Sequence, residues 1–142
     1  MLFNRFLQPD VDVDTLTSST RFELSTNAEL PLRLRWMAVL HDRLHCSLAL
    51  AGGVDEPHDG VKAILAGAHA VQMVSAILRH GPKYFSVMRD GLVRWMESKN
   101  IASIDDVRGR VHVRAAELGL VERANYIQTL RSWSEERAVR CP

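Results

Sequence analysis

Two short apolar runs of this chain end in residues suited to holding an anion: Leu48-Ala49-Leu50-Ala51-Gly52-Gly53-Val54 and, further on, Ala70-Val71-Gln72-Met73-Val74-Ser75. Each leads through small or hydroxyl residues straight into a helix signal, so backbone N–H groups and a helix N-terminus converge on one spot, which suits a phosphate. Gly-Gly after one strand serves a tight turn equally well, and it is the pairing of two such loops that points to phosphate. The other chemistry-bearing residues read more plainly. His41 and His45 have a spacing that zinc sites use, yet no Glu stands beside them and no third ligand is evident. They read as surface histidines, and no metal site is expected. Asp10, Asp12 and Asp14 alternate without the glycine and distant glutamate of a calcium loop and read as a solvated loop. His58, His69, His80 and His112 form no cluster. Asn4, on its own, reads equally as the cap of a turn. Cys46 and Cys141 have no spacing for a metal or disulfide framework, and Cys46, opening an apolar run, reads as a packed thiol.

The elements that would position these loops follow from periodicity. Gln8 to Asn27 reads as a loop holding one alternating run, Arg21-Phe22-Glu23-Leu24. Leu2-Phe3 reads as the end of a strand. From Ala28 to Leu44 the residues Leu32, Trp36, Val39 and Leu40 fall at helical spacing, with Pro31 allowed in the first turn. Cys46 to Leu50 reads as a strand buried on both faces, as in a parallel sheet. Glu56-Pro57 opens a helix whose Val61, Ile64 and Leu65 share a face and which Gly67 stops. Ala70 to Met73 reads as a second buried strand, completing a right-handed strand, helix, strand crossover. Ala76 to Arg79 makes about one helical turn. Gly81-Pro82 then restarts a longer helix with a stripe of Tyr84, Phe85, Met88, Leu92, Trp95 and Met96, expected in the core. Ser103 caps a short helix, and a last amphipathic helix is expected near Val121 to Trp133. Trp36, Trp95 and Trp133 read as packing residues.

Composition narrows the function classes. With 46% hydrophobic and 25% charged residues in 142, the chain has ordinary globular usage and enough length for a core. Lys and Arg number 18 against 17 Asp and Glu, so no basic field is available for nucleic acid. No run approaches the length of a membrane span, and no signal peptide is read; a cytoplasmic setting is expected.

The wording of these segments resembles the C-terminal part of the dihydroorotate dehydrogenase family, flavin enzymes of pyrimidine synthesis. The resemblance is carried by Ala51-Gly52-Gly53-Val54 with Asp59 and Lys62, Ala66-Gly67-Ala68, Val71-Gln72-Met73 and Ser75-Ala76. Leu2 to Phe6, Leu92-Val93-Arg94-Trp95-Met96, Ser103-Ile104-Asp105 and Arg123-Ala124-Asn125-Tyr126-Ile127 extend it over nearly the whole chain. It implies an α/β fold: the C-terminal part, about strands six to eight with their helices, of a TIM (β/α)8 barrel, with extra C-terminal helices. Residues 1–100 would be the barrel portion carrying the FMN phosphate site, and residues 101–142 a helical extension.

By the same resemblance the cofactor is FMN, its phosphate held by Gly52, Gly53, Val74 and Ser75; glycine lets the backbone approach an oxyanion and Ser75 adds a hydroxyl donor. In many relatives the position of Val74 is glycine. Asn4 would hydrogen-bond the substrate ring, since a carboxamide both donates to and accepts from a pyrimidine amide. The implied function is FMN-dependent oxidation of dihydroorotate to orotate, on a small dihydropyrimidine substrate. The family's proton base sits on a front loop of the barrel that matches nothing here, so no catalytic residue is assigned and the chain is expected to be truncated and inactive alone. Another flavin or phosphate-ligand barrel, or a non-catalytic remnant, remains open. An exposed sheet edge leaves a homo-oligomer open.

Overall fold

The computed structural model describes residues 8–21 and 23–111; the expected strand end at Leu2-Phe3, Asn4, Cys141 and the helix near residues 121–133 lie outside them. The chain divides at residue 112 into two compact units, and the described residues lie in the first.

The first element is one that periodicity missed. Gln8–Asp12 (β1) and Thr17–Arg21 (β2) pair antiparallel, with Gln8 opposite Arg21 and Asp12 opposite Thr17. No apolar face alternates here, and Val11 is exposed. The turn is organised instead by Asp12, whose Oδ1 accepts the N–H groups of Asp14 (2.9 Å) and Thr15 (3.1 Å), the usual work of an Asp at a turn. Those two amides hold the Asp12 carboxyl below the ordinary carboxylate range. The alternating aspartates thus belong to a hairpin and its turn, not to a loop.

A single 3-10 turn, Asn27–Glu29, leads into α1 (Leu30–His41), with Pro31 in its first turn where the missing N–H costs nothing. The buried residues of α1 are Leu30, Met37, Ala38 and Val39. The expected face included Leu32 and Trp36; Leu32 is exposed and Trp36 is 44% exposed. Instead Trp36 lines a groove of about 400 Å³ together with Leu40, Leu44, Leu48 and Ala49. The groove runs between α1 and residues 49–51 with the segment leading into them.

Ala49–Ala51 (β3) and Ala70–Gln72 (β4) pair in parallel, Leu50 opposite Val71. Leu50 is 2% exposed and Val71 is half-buried, while Ala49, Ala70 and Gln72 on the opposite face are exposed. The expectation of burial on both faces is therefore corrected for both strands: among the described residues the helices cover only the Leu50 face. Cys46 precedes β3 and is exposed, so it is not a packed thiol.

Between the strands runs α2 (Pro57–Leu65); of its expected face Val61 and Ile64 are buried and Leu65 is half-buried, and Ala63 is buried as well. It ends where expected, the Ala68 N–H returning to the Ala63 carbonyl and the Gly67 N–H to that of Ile64. Ser75–His80 (α3) is the expected short turn of helix, and Tyr84–Ser98 (α4) the longer one. The α4 stripe is less buried than predicted. Met88 alone is fully buried, Tyr84, Leu92, Trp95 and Met96 are half-buried, and Phe85 is 55% exposed. Among the described residues α2 packs along this face and the short α3 touches it, and together they cover only part of the stripe.

Ser103 caps the 3-10 turn Ile104–Asp106, its Oγ accepting the Asp105 N–H. The chain then returns to the end of α2, Gly109 N–H to the Ile64 carbonyl and Val111 N–H to that of Leu65. His41 packs its ring against both Gly67 and Gly109 and is half-buried, not a surface histidine; His45 is exposed.

The α2–α4 contact makes one sharp expectation. A Cβ added at Gly91 of α4 would lie within 2.5 Å of Pro57 Cγ at the start of α2. Alanine gains about 1 kcal/mol over glycine in a helix interior. Overpacking against a rigid ring costs about 1–3 kcal/mol. Gly91→Ala should therefore lower the midpoint of denaturant unfolding; a raised midpoint would mean that α4 slides to make room.

Candidate functional site

Both strands deliver their C-terminal loops to the same side of the parallel pair, and a third segment lies between the loops. After β3, Gly52 and Gly53 both have left-handed backbone, φ 84° and 79°. A Cβ at Gly53 would fall 2.8 Å from the Leu30 nitrogen and 3.0 Å from its Cα. The close approach that demands glycine here is thus to the first residue of α1. At Gly52 a Cβ would meet the Arg33 guanidinium at 2.8 Å, and Arg33 donates to the Glu29 carbonyl (2.8 Å) and carboxylate (2.9 Å). After β4, Val74 is 69% exposed and Ser75 is half-buried.

Ser25 joins the two loops. Its N–H donates to Ser75 Oγ (3.0 Å), the two hydroxyl oxygens are 2.8 Å apart, and the Gly53 N–H donates to Ser25 Oγ (3.3 Å). Two hydroxyls carry two protons, and the contact between them uses one. The second proton is left to donate elsewhere. Ser25 is itself buried.

Around this cluster the charges are paired. Arg79 at the end of α3 donates to the Asp55 carboxylate (2.8 Å) and to the Ser25 carbonyl (2.7 Å). The Tyr84 hydroxyl donates to the Asp55 carbonyl (3.0 Å). Just beyond, Asp59 is buried, accepting the N–H groups of Asp55 (3.2 Å) and Glu56 (3.1 Å) and the Lys62 ammonium (3.0 Å). Burial pushes its carboxyl up, but the Lys62 hydrogen bond, the two amides and the Lys62 charge together outweigh that and hold it below the ordinary range. Glu29 and Asp55, the carboxylates tied to these loops, each face an arginine, so neither leaves an uncompensated negative charge beside an arriving anion.

Of the residues singled out in the sequence, Gly53 and Ser75 are brought together, Gly52 lies under Arg33, and Val74 points to solvent. Asn4 falls outside the described residues. Ser25, Arg79 and Asp55 were missed. Ser25 and Ser75 are 50 residues apart, and no local pattern pairs them. No three metal-ligating side chains cluster among the described residues, and no described helix is long and apolar enough to cross a membrane.

No family model matches the chain. It is 30% identical over 89 residues to the catalytic subunit of dihydroorotate dehydrogenase B (NAD+) of Methanothermobacter thermautotrophicus, a match covering 63% of this chain and 29% of that protein. It is 32% identical over 84 residues to a putative dihydroorotate dehydrogenase A (fumarate) of Streptococcus uberis, covering 58% and 27%. Over this partial stretch the chain is related to the dihydroorotate dehydrogenases. The crystal structure of the Eimeria tenella dihydroorotate dehydrogenase in complex with ferulenol aligns with a TM-score of 0.56 at 20% identity, covering 66% of this chain and 24% of that one. The likeness in fold is to a family of TIM barrels, and the described residues are accordingly mixed α/β. The chain spans less than a third of the length of these dihydroorotate dehydrogenases.

A flavin mononucleotide brings a phosphate, and the cluster at Gly53, Ser25 and Ser75 fits one: a hydroxyl proton not spent within the cluster, a Gly53 N–H held only by a 3.3 Å bond to Ser25 Oγ, and flanking carboxylates that are both paired. The glycines are less telling than they looked in the sequence, because Leu30 and Arg33 already account for them.

Proposed function

We propose that this chain supplies the phosphate-holding end of an FMN site in an oxidoreductase of the dihydroorotate dehydrogenase type. In this reading β3 and β4 are strands seven and eight of a (β/α)8 barrel, within about residues 1–100, and the phosphate sits outside their C-terminal ends, the usual place in such barrels. The observation that carries it is the meeting of the Gly53 N–H with the Ser25 and Ser75 hydroxyls between the two loops. The relationship to dihydroorotate dehydrogenases supports the choice of ligand.

The roles of the chain's own residues are to bind and to orient. Gly53 and the two serines would take phosphate oxygens, with Gly52 and Val74 bordering them. Asn4 would hold the substrate ring. When bound, the flavin supplies a hydride acceptor for oxidation of a dihydropyrimidine. None of the described residues is given the part of proton base, and the chain by itself is expected to show no turnover of dihydroorotate with FMN and an electron acceptor.

The test is a fluorescence titration of the full chain with FMN and with riboflavin, which lacks the phosphate. One hydrogen bond to a charged group is worth about 1.5–3 kcal/mol, so FMN should bind at least about tenfold tighter. Equal affinities would remove the phosphate site. Turnover by the chain that disappears in Gly53→Val would contradict its expected inactivity.

A further inference from the structure

Arg79 ties together segments that the sequence keeps far apart. One nitrogen of its guanidinium donates to Asp55 Oδ1 (2.8 Å), and the other donates to the Ser25 carbonyl (2.7 Å) and, more weakly, to that of Leu24 (3.4 Å). The fork is planar and its donors diverge at fixed angles, so one side chain sets both the segment before the site and the loop after Gly53. The Tyr84 hydroxyl on the Asp55 carbonyl pins that loop from α4. A partly exposed ion pair such as Arg79 with Asp55 adds little to stability by itself. Its effect is positional: residues 23–26 belong to no helix or strand, and Arg79 fastens them at Leu24 and Ser25.

We propose that Arg79 is a positioning residue for the anion spot, holding the Ser25 hydroxyl between the Gly53 amide and the Ser75 hydroxyl so that its cluster presents a proton to a phosphate oxygen. The proposal rests on the phosphate reading given above. Without the guanidinium the Ser25 carbonyl loses its charged donor, the Ser25 segment is released, and the cluster loses both the Gly53 N–H acceptor and the Ser75 partner. In this reading the cluster meets only the phosphate, so the part of a flavin beyond it is not touched by this change.

Two measurements on the full chain decide it. In the first, FMN and riboflavin affinities are compared for the unaltered chain, Arg79→Ala and Arg79→Lys. Arg79→Ala should weaken FMN by about tenfold and riboflavin by less than about twofold. Arg79→Lys, which keeps the charge and loses the fork, should fall between. Equal weakening of both flavins, or no weakening, overturns the proposal.

The second measurement needs no ligand. Amide hydrogen exchange at Ser25 and Gly53 should speed up about tenfold in Arg79→Ala relative to Ala66, whose N–H is bonded to the Lys62 carbonyl in α2. Exchange that stays level with Ala66 overturns the positioning role. If the unaltered chain binds FMN no tighter than riboflavin, the phosphate reading falls, and exchange alone then shows whether Arg79 holds Ser25.

Discussion

Gly53→Ala is expected to destabilise the unit formed by residues 1–112 by about 2–4 kcal/mol, the largest effect of any single methyl group added near the site. Two costs combine. A residue with a Cβ at φ 79° costs about 1–2 kcal/mol relative to glycine. The new carbon would also stand 2.8 Å from the Leu30 nitrogen and 3.0 Å from its Cα, main-chain atoms at the start of α1 that cannot rotate away as a side chain can. Overpacking of that kind costs about 1–3 kcal/mol. Against these stands a gain of about 0.4–1 kcal/mol from a less flexible unfolded chain. Gly52→Ala is the control, since its Cβ meets the far end of the Arg33 side chain at 2.8 Å and that guanidinium can turn. Its cost should be dominated by the φ of 84° alone. Urea unfolding of both variants checks the pair. A Gly53→Ala loss no greater than that of Gly52→Ala would mean that the loop moves off α1 freely.

That contrast also shows what was legible in the sequence. Gly52 and Gly53 stood out because they end an apolar run, and the sequence offered a tight turn or a ligand as the reason; the structure supplies another in Leu30. The helix from Glu56 to Gly67 was readable to the residue because every signal there is local: proline at the start, an acidic first turn, buried positions at helical spacing and a glycine stop. The hairpin of β1 and β2 was not readable, because pattern reasoning looks for a buried face and this hairpin is held by backbone pairing and one Asp at its turn. Burial was overestimated at Cys46, along β4 and on the α4 stripe for a common reason. An apolar residue in the sequence announces what it prefers to contact, not whether a partner layer reaches it. The site divides in the same way. Gly53 and Ser75 follow their own strands and are visible one at a time, while Ser25 and Arg79 matter only through contacts across 24 to 55 residues.

The second large effect is expected at Asp59. Its carboxylate closes a reciprocal cap with Glu56 and takes the Asp55 and Glu56 amides and the Lys62 ammonium while almost wholly removed from water. Loss of the cap, the bond to the Glu56 amide, costs about 1 kcal/mol, and leaving the half-buried Asp55 amide without a partner about 1–3 kcal/mol, so Asp59→Ala should lose about 2–4 kcal/mol. The carboxyl titrates below its ordinary value in the folded chain. Its contribution is therefore fully present above the unfolded value and is lost as the pH falls through the folded one, below about pH 3.9. Asp12 is held low as well and titrates in the same window, so the measurement that isolates Asp59 is the difference between the unaltered chain and Asp59→Asn. That difference should be constant from neutral pH down to the ordinary carboxylate range and should shrink below it. A gap that stays unchanged to the acid limit would mean that the Asp59 charge contributes nothing to the cap. The consequence reaches the site, because the amide that Asp59 fixes is that of Asp55, and Asp55 carries Arg79 on its carboxylate. Asp59→Asn should therefore weaken FMN relative to riboflavin in the same direction as Arg79→Ala, and by less, since the Arg79 bonds to Leu24 and Ser25 are untouched.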